Sequence, residues 1–232
     1  MSSAPAVGWL KLLATALYLL AWPALTLGLS GDWRWTEGWL FGLWFLGLCA
    51  TCIGWLYRKD PALLAERFRR PGSGGQSRGD TFIVYALVFG FCAWIALPPL
   101  DARRFRWTPR WPLWVEASGG ALLLGAGFFF FRSFTDNTFL SPLVRIQAER
   151  RHQLVCTGVY AIVRHPMYLG ASMMFLGGPL LLGSACGILV GICLTGLLMA
   201  RIRGEEELLA RELDGYQGYR AKVRYRLVPG IW

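Results

Sequence analysis

The amino-acid sequence predicts an all-α, polytopic membrane protein of about six transmembrane helices, with a tight C-terminal helical hairpin and a cytoplasmic C-terminal tail. Two observations predict it. The chain of 232 residues is 55% hydrophobic and only 16% charged, against about 25% charged in ordinary soluble domains. Its apolar residues are gathered into runs of roughly 17–23, long enough for helices to cross a hydrocarbon core about 30 Å thick. A helix satisfies its own backbone polar groups in lipid, and no stretch of this chain alternates as barrel strands do.

The first run covers 7–29 and carries Pro23, an expected kink. It is too long for a cleavable signal core and its early lysine, Lys11, lies inside it, so it reads as a retained span. The second and third runs cover 39–57 and 81–100, the latter expected to stop at Pro98-Pro99. Between them, 71–79 (Pro-Gly-Ser-Gly-Gly-Gln-Ser-Arg-Gly) has the composition of a flexible linker. The fourth run, 113–131, holds Gly119, Gly120, Gly125 and Gly127, which suit close helix packing rather than phosphate binding. The fifth and sixth, 167–183 and 185–202, are joined only at Gly183-Ser184 and must form a tight antiparallel hairpin.

The net charge of +10 does not indicate nucleic acid, because the basic residues fill the gaps between apolar runs and no recognition motif accompanies them. Segments 58–80, 132–164 and 201–232 hold most of them, whereas the opposite loops hold Arg34, Arg103, Arg104, Arg106 and Arg110. This bias orients both termini toward the cytoplasm. Trp33, Trp35, Trp39, Trp107, Trp111 and Trp114 cluster at the opposite boundary, where interfacial anchoring accounts for them. Five of the six cysteines lie inside apolar runs, including the Cys49–Cys52 pair, and there act as small hydrophobes. With only two histidines, His152 and His165, no His-rich metal site is expected. No internal repeat and no Rossmann-type glycine fingerprint is present.

The chemistry is expected where the hairpin begins and ends. Pro166 disfavours a helical His165, so the backbone at Arg164–His165 should be irregular, with free donors and acceptors beside an imidazole, a guanidinium and the phenols of Tyr160 and Tyr168. At the return of the hairpin, Arg201 with Glu205, and Arg203 with Glu206 or Glu207, fall at helical ion-pair spacings. The hairpin brings this acidic cluster to the Arg-His-Pro turn. Carboxylates there could hold an ammonium, a sulfonium or ribose hydroxyls, and arginines a carboxylate. The tail, with Tyr216, Tyr219 and the apolar end at Trp232, is expected to fold back as a lid that excludes water.

Residues 137–232 resemble the isoprenylcysteine carboxyl methyltransferase family, in a superfamily shared with phospholipid N-methyltransferases. The matching pieces are Gly158-x-Tyr160, Arg164-His165-Pro166-x-Tyr168-x-Gly170, Arg201-Ile202-x-x-Glu205-Glu206-x-x-Leu209, Tyr216-x-x-Tyr219 and an end containing Pro229. Where the family often has Phe-Gly before the tyrosine pair, this chain has Leu213-Asp214-Gly215. The resemblance implies S-adenosylmethionine (SAM) as methyl donor and S-adenosylhomocysteine as product. It implies cofactor contacts at Tyr160, Arg164, His165, Pro166, Tyr168, Leu169, Gly170, Glu206, Tyr216 and Tyr219. It implies reaction or acceptor roles for Arg201, Glu205 and Glu206, with no metal. Residues 1–136 would then be scaffold and acceptor access, and 137–232 the SAM-binding core.

The acceptor expected first is a prenylcysteine-like carboxylate, with lipid amines and small thiols as alternatives. An NADPH-dependent membrane reductase is a rival reading, since steroid 5-alpha-reductase-like enzymes share a distantly similar C-terminal architecture. Their Asn-Tyr-containing motif stands where Arg-His-Pro stands here. A non-enzymatic membrane scaffold is a third reading, opposed by the presence of both the turn and the glutamate pair. Membrane lipid and a lipophilic or small acceptor are the expected partners, and a bacterial inner membrane the expected location.

Overall fold

The computed structural model describes residues 8–69 and 78–232. The linker reading of 71–79 and the start of the first run at Val7 lie largely outside the described residues. Eight α-helices follow in order: α1 Trp9–Ser30, α2 Thr36–Lys59, α3 Pro61–Glu66, α4 Arg78–Pro98, α5 Leu113–Asp136, α6 Pro166–Leu182, α7 Ala185–Glu212 and α8 Tyr216–Lys222. Among the described residues there is no strand. Among the described residues five helices are long and apolar enough to cross a membrane, and α6 is a shorter apolar helix. Large apolar side chains face outward along them, among them Phe89, Phe82, Leu113 and Leu124. An exposed apolar surface of that extent suits lipid and not water.

Pro23, the expected kink, sits inside α1, where its ring packs on Gly42 of α2. One boundary differs from the sequence expectation. The third span does not stop at Pro98-Pro99; the chain continues as a π-helical turn over Pro99–Phe105. The reason is Asp101, fully buried in that turn. Its carboxylate accepts from Thr108 N at 2.9 Å, from the hydroxyls of Thr108 and Ser184 at 2.8 and 2.6 Å, and from Cys186 N at 3.1 Å. Ser184 also caps α7 by accepting from Gly187 N at 2.9 Å. One carboxylate therefore pins the closed end of the hairpin to the end of α4.

The core is built by α4, α5, α6 and α7. Trp94 of α4 is buried and donates its indole N–H to Phe175 O at 2.8 Å, so the ring packs without an unmet donor. The α5–α6 contact is glycine-dependent. A Cβ at Gly119 would stand 2.3 Å from Leu181 N, and one at Gly177 would stand 2.9 Å from Gly119 O. Gly120, one residue on, has open space in the same position. The expectation that these glycines serve packing holds at Gly119 and at Gly125, whose added Cβ would meet the Met173 side chain. By contrast α1 is exposed along most of its length.

Because each helix reverses direction, the starts of α4 and α6 and the ends of α2, α5 and α7 share one end of the bundle, with α3, α8 and the tail. Replacing Gly119 by Ala should destabilise the protein by about 1–3 kcal/mol through backbone clash, whereas Gly120→Ala should be neutral or slightly stabilising. Thermal unfolding in detergent would separate the two; equal melting temperatures would contradict the close α5–α6 approach.

Candidate functional site

At that shared end, Gly158–Ala161 forms one 3-10 turn. Gly158 has φ 59°, and a Cβ there would strike the Asp136 carboxylate, which accepts from Val159 N at 3.0 Å. Glycine is required on both counts. The chain then runs irregularly to His165, at φ −124° and ψ 63°, and Pro166 opens α6 at its first position, where its missing N–H costs nothing. The non-helical Arg164–His165 backbone is as expected, but its donors are not free. Arg164 N donates to Tyr225 O at 3.0 Å and His165 N to Arg226 O at 2.9 Å. The Arg164 guanidinium adds Val223 O at 2.6 Å and Arg224 O at 2.9 Å. The tail satisfies these groups by strapping across the turn.

Glu206, on α7, is the acceptor that joins these segments. It is 2% exposed. Its Oε1 accepts from Arg164 Nε at 2.6 Å and lies 3.3 Å from His165 Nε2, and its Oε2 accepts from Arg226 Nε at 2.8 Å. The Arg226 guanidinium in turn lies 5.0 Å from the Trp232 ring centroid, a cation–π contact. The intrahelical ion pairs expected on this turn do not form. Arg201 donates instead to Asp80 at 2.9 Å and to Pro142 O at 2.6 Å, and Glu205 accepts from the Tyr168 hydroxyl at 2.8 Å. Among the described residues Arg203 has no ion pair and faces outward. The face of this turn that carries Arg201, Glu205 and Glu206 is walled by other elements rather than by water, so its charges pair across space.

A narrow cleft of about 90 Å³ opens beside this network. Of the residues singled out from sequence, Tyr160, Arg164, His165, Pro166, Tyr168, Glu205, Tyr216 and Tyr219 line it. Leu169, Gly170, Arg201 and Glu206 are not in its lining. Gly170 faces α5, where a Cβ would stand 3.2 Å from Ala126 O, so its role visible here is packing. The sequence reading missed the opposite wall, which comes from 137–155 and includes Asn137, Phe139, Ser141, Leu143, Arg145 and His152. The available signal was length, since an ordered connection longer than about 12–15 residues is commonly functional.

The electrostatics of the cleft are mostly settled internally. Arg145 grips Glu66 through Nε at 3.1 Å and Nη2 at 3.0 Å and reaches Glu149 at 2.6 Å. Arg164 is matched by Glu206. Burial pushes the Tyr160, Tyr216 and Tyr219 phenols up, so they stay neutral O–H groups at physiological pH. Tyr219 donates to Tyr160 O at 2.7 Å, but among the described residues the buried Tyr216 hydroxyl has no partner. Burial, then the nearby Arg150 and Arg145 charges, push His152 down, and its ring stacks on Phe139 at 4.7 Å. The His165 and Tyr168 rings are parallel at 5.6 Å. Among the described residues no group of three His, Cys, Asp or Glu side chains is placed to hold a metal ion. The cleft therefore presents aromatic faces, one carboxylate held by a single phenol and one unpaired hydroxyl.

The model of the isoprenylcysteine carboxyl methyltransferase (ICMT) family matches residues 139–211. Over 85 residues the chain is 38% identical to a protein-S-isoprenylcysteine O-methyltransferase of Schizosaccharomyces pombe, covering 36% of each chain. Over 167 residues it is 29% identical to a Delta(14)-sterol reductase of Mus musculus, covering 64% of this chain and 39% of that one. The matches thus span well under half the length of these curated relatives. The family match and the first relative support the ICMT resemblance noted in the sequence.

Glu206→Gln should loosen the tail, because it removes the shared anion from three cationic or donor groups. A destabilisation of about 3 kcal/mol is expected, with faster hydrogen exchange at the Arg164 and His165 amides; unchanged exchange there would show that the strap does not depend on Glu206. A second expectation concerns acid. Burial pushes Glu66 up, but hydrogen bonds from Arg145 and Ser141 and the charges of Arg145 and Arg69 more than offset it, leaving Glu66 below its ordinary 4.5. A folded-state value below the unfolded one gives stability that is present above the unfolded value and lost as pH falls through the folded one. Melting temperature should therefore drop below about pH 4.5, and drop less steeply in Glu66→Gln. Glu149, held at about 2 by Arg145, keeps some slope in that variant.

Proposed function

We propose that this chain is an integral membrane methyltransferase that uses S-adenosylmethionine to methylate a lipophilic acceptor, with a prenylcysteine-like carboxylate as the acceptor class. One observation carries the reading. The segment matched by the ICMT family, 139–211, supplies most of the lining of the cleft. In this reading 137–232 is the donor-binding core and 1–136 the scaffold through which the acceptor arrives. The basic loops gather at the cleft end, so both termini and the cleft are assigned to the cytoplasmic side of a bacterial inner membrane.

The residues present fit a sulfonium nucleoside. Glu205 offers a negative charge to its cationic end, and the unpartnered Tyr216 hydroxyl offers a hydrogen bond to a polar edge. Tyr160, His165 and Tyr168 offer flat faces to a base. When bound, SAM supplies a methyl carbon on an already activated sulfonium and leaves as the neutral thioether S-adenosylhomocysteine. The protein's own task is alignment. A carboxylate acceptor brings its nucleophilic charge with it, so the site must orient it, strip its water and hold it in line with the methyl group. Orientation of that kind contributes up to about 7–11 kcal/mol in well-aligned intramolecular reactions. The cleft volume of about 90 Å³ is below the roughly 300–1,000 Å³ of small-molecule sites. Its walls must part on binding.

The 29% identity to a sterol reductase over 64% of this chain favours a second reading, a membrane reductase using NADPH. Charge matching favours SAM. NADPH carries several phosphate charges and needs free cations, whereas the two arginines lining the cleft are already paired with Glu66, Glu149 and Glu206.

Equilibrium dialysis with labelled SAM tests the assignment. Tyr216→Phe should leave the melting temperature unchanged, because the lost hydroxyl has no protein partner, yet weaken SAM binding by about tenfold. Full SAM affinity in that folded variant would remove Tyr216 from the donor site. Binding of NADPH and not SAM by the unmodified protein would replace the methyltransferase reading with the reductase one.

A further inference from the structure

Segment 222–232 carries Lys222, Arg224 and Arg226 and no acidic residue. Its path is fixed at several points. Arg164 N and His165 N hold Tyr225 O and Arg226 O, and the Arg226 side chain is spent on Glu206. Leu227 is buried in the same cluster as Tyr168, Leu198 and Ile202, and Trp232 packs against that cluster. Leu198 and Ile202 end the apolar stretch of α7, and Tyr168 stands in the first turn of α6. The segment therefore lies level with the ends of two apolar helices rather than in the water beyond them.

After Leu227 the chain makes a tight turn, Val228-Pro229-Gly230-Ile231. Ile231 N donates to Val228 O at 3.1 Å, and Gly230 has φ 83°. Proline then glycine at the central positions is the type II pattern. Trp232 O accepts from Arg226 N at 2.9 Å and from Leu227 N at 3.0 Å, which closes the base of the turn. This well-tied turn nonetheless points apolar side chains outward. Ile231 is 81% exposed, and Val228 and Tyr225 are also exposed. Strapping the Arg-His-Pro turn does not require an isoleucine at the tip. On the approach to the turn, Lys222 and Arg224 are exposed on either side of the buried, extended Val223, and among the described residues neither has an ion pair.

An apolar tip beside unpaired cations, at the level where apolar helices end, has the make-up of an interfacial contact. Apolar side chains enter the boundary between headgroups and acyl chains, and cations stay at the phosphates. We propose that the 228–231 turn is seated in the bilayer surface, with Lys222 and Arg224 against anionic lipid headgroups, and that this contact holds the tail strap in place. The strap meets the backbone of Arg164 and His165, and both residues line the cleft. Lipid composition therefore reaches the cleft through the tail. The inference does not depend on which ligand the cleft takes.

The test uses the full chain in nanodiscs of phosphatidylcholine alone and of equal parts phosphatidylcholine and phosphatidylglycerol. The readout is hydrogen exchange at the Arg164 and His165 amides, which report lifting of the strap. Exchange should be at least about fivefold slower in the anionic discs. Combining Lys222→Gln with Arg224→Gln should remove that difference. Ile231→Ser should speed exchange several-fold in both lipids, whereas Ile231→Trp, whose ring suits the same depth, should not. The tryptophan variant separates lipid contact from a packing role, because a packed isoleucine would not accept the larger ring. Equal exchange in the two lipids, a difference kept in the double variant, unchanged exchange in Ile231→Ser, or equal loss of protection in Ile231→Trp would each overturn the proposal.

Discussion

The Glu206 carboxylate is the point on which the rest of the cleft end depends. It is buried, and a buried carboxylate is tolerated only when its lone pairs are met. The groups that meet it come from separate parts of the chain: Arg164 and His165 just before α6, and Arg226 in the tail. Each of these has a second partner. Arg164 and His165 also hold the tail backbone, and Arg226 lies on Trp232. The anion therefore sets the separation of α6 and α7 at the rim, the shape of the Arg-His-Pro turn and the path of the last ten residues together. Removing any one partner leaves the others with unmet charge, so the network behaves as a unit.

The other end of the hairpin is governed by a second buried carboxylate, Asp101, which joins the π turn after α4 to the cap of α7. Between the two, α5 and α6 approach through Gly119 and Gly177, where backbone meets backbone. The helices behind the cleft are thus fixed at both ends by charge and in the middle by the absence of side chains. α1 has no comparable anchor and is mostly exposed to its surroundings.

The apolar runs made the five membrane-length helices and the shorter α6 legible, because hydrophobic length is a local property. The hairpin at Gly183-Ser184 and the break at Arg164–His165 were legible for the same reason, each set by one or two residues whose backbone preferences are strong. The resemblance carried by Arg-His-Pro and the glutamate pair located the end of the bundle where the cleft lies. Local spacing failed where partners are distant. Arg201 and Glu205 stand four apart, yet one pairs with Asp80 and the other with Tyr168. Helical ion-pair rules assume a water-facing helix, and the face bearing Arg201 and Glu205 packs against other elements. The π turn at Asp101 was hidden for a related reason, and so were the partners of the tail, whose fold-back alone was expected: each depends on hydrogen bonds to residues far away in sequence. The 137–155 wall has no periodicity at all, and only its length marked it.

Charge balance explains what such an end of the bundle can select. Most of its ions are matched internally: Arg145 with Glu66 and Glu149, Arg164 and Arg226 with Glu206, Arg201 with Asp80. A matched pair exerts little net field on a ligand, however many pairs line the wall. What remains in the cleft is one carboxylate held by a phenol and one lone hydroxyl. A cationic ligand would complement that carboxylate. Two anionic molecules, such as a phosphate-bearing cofactor and a carboxylate, would leave Glu205 facing like charge. The paired ions are therefore part of the selectivity, because they remove from the field every charge that a ligand does not need.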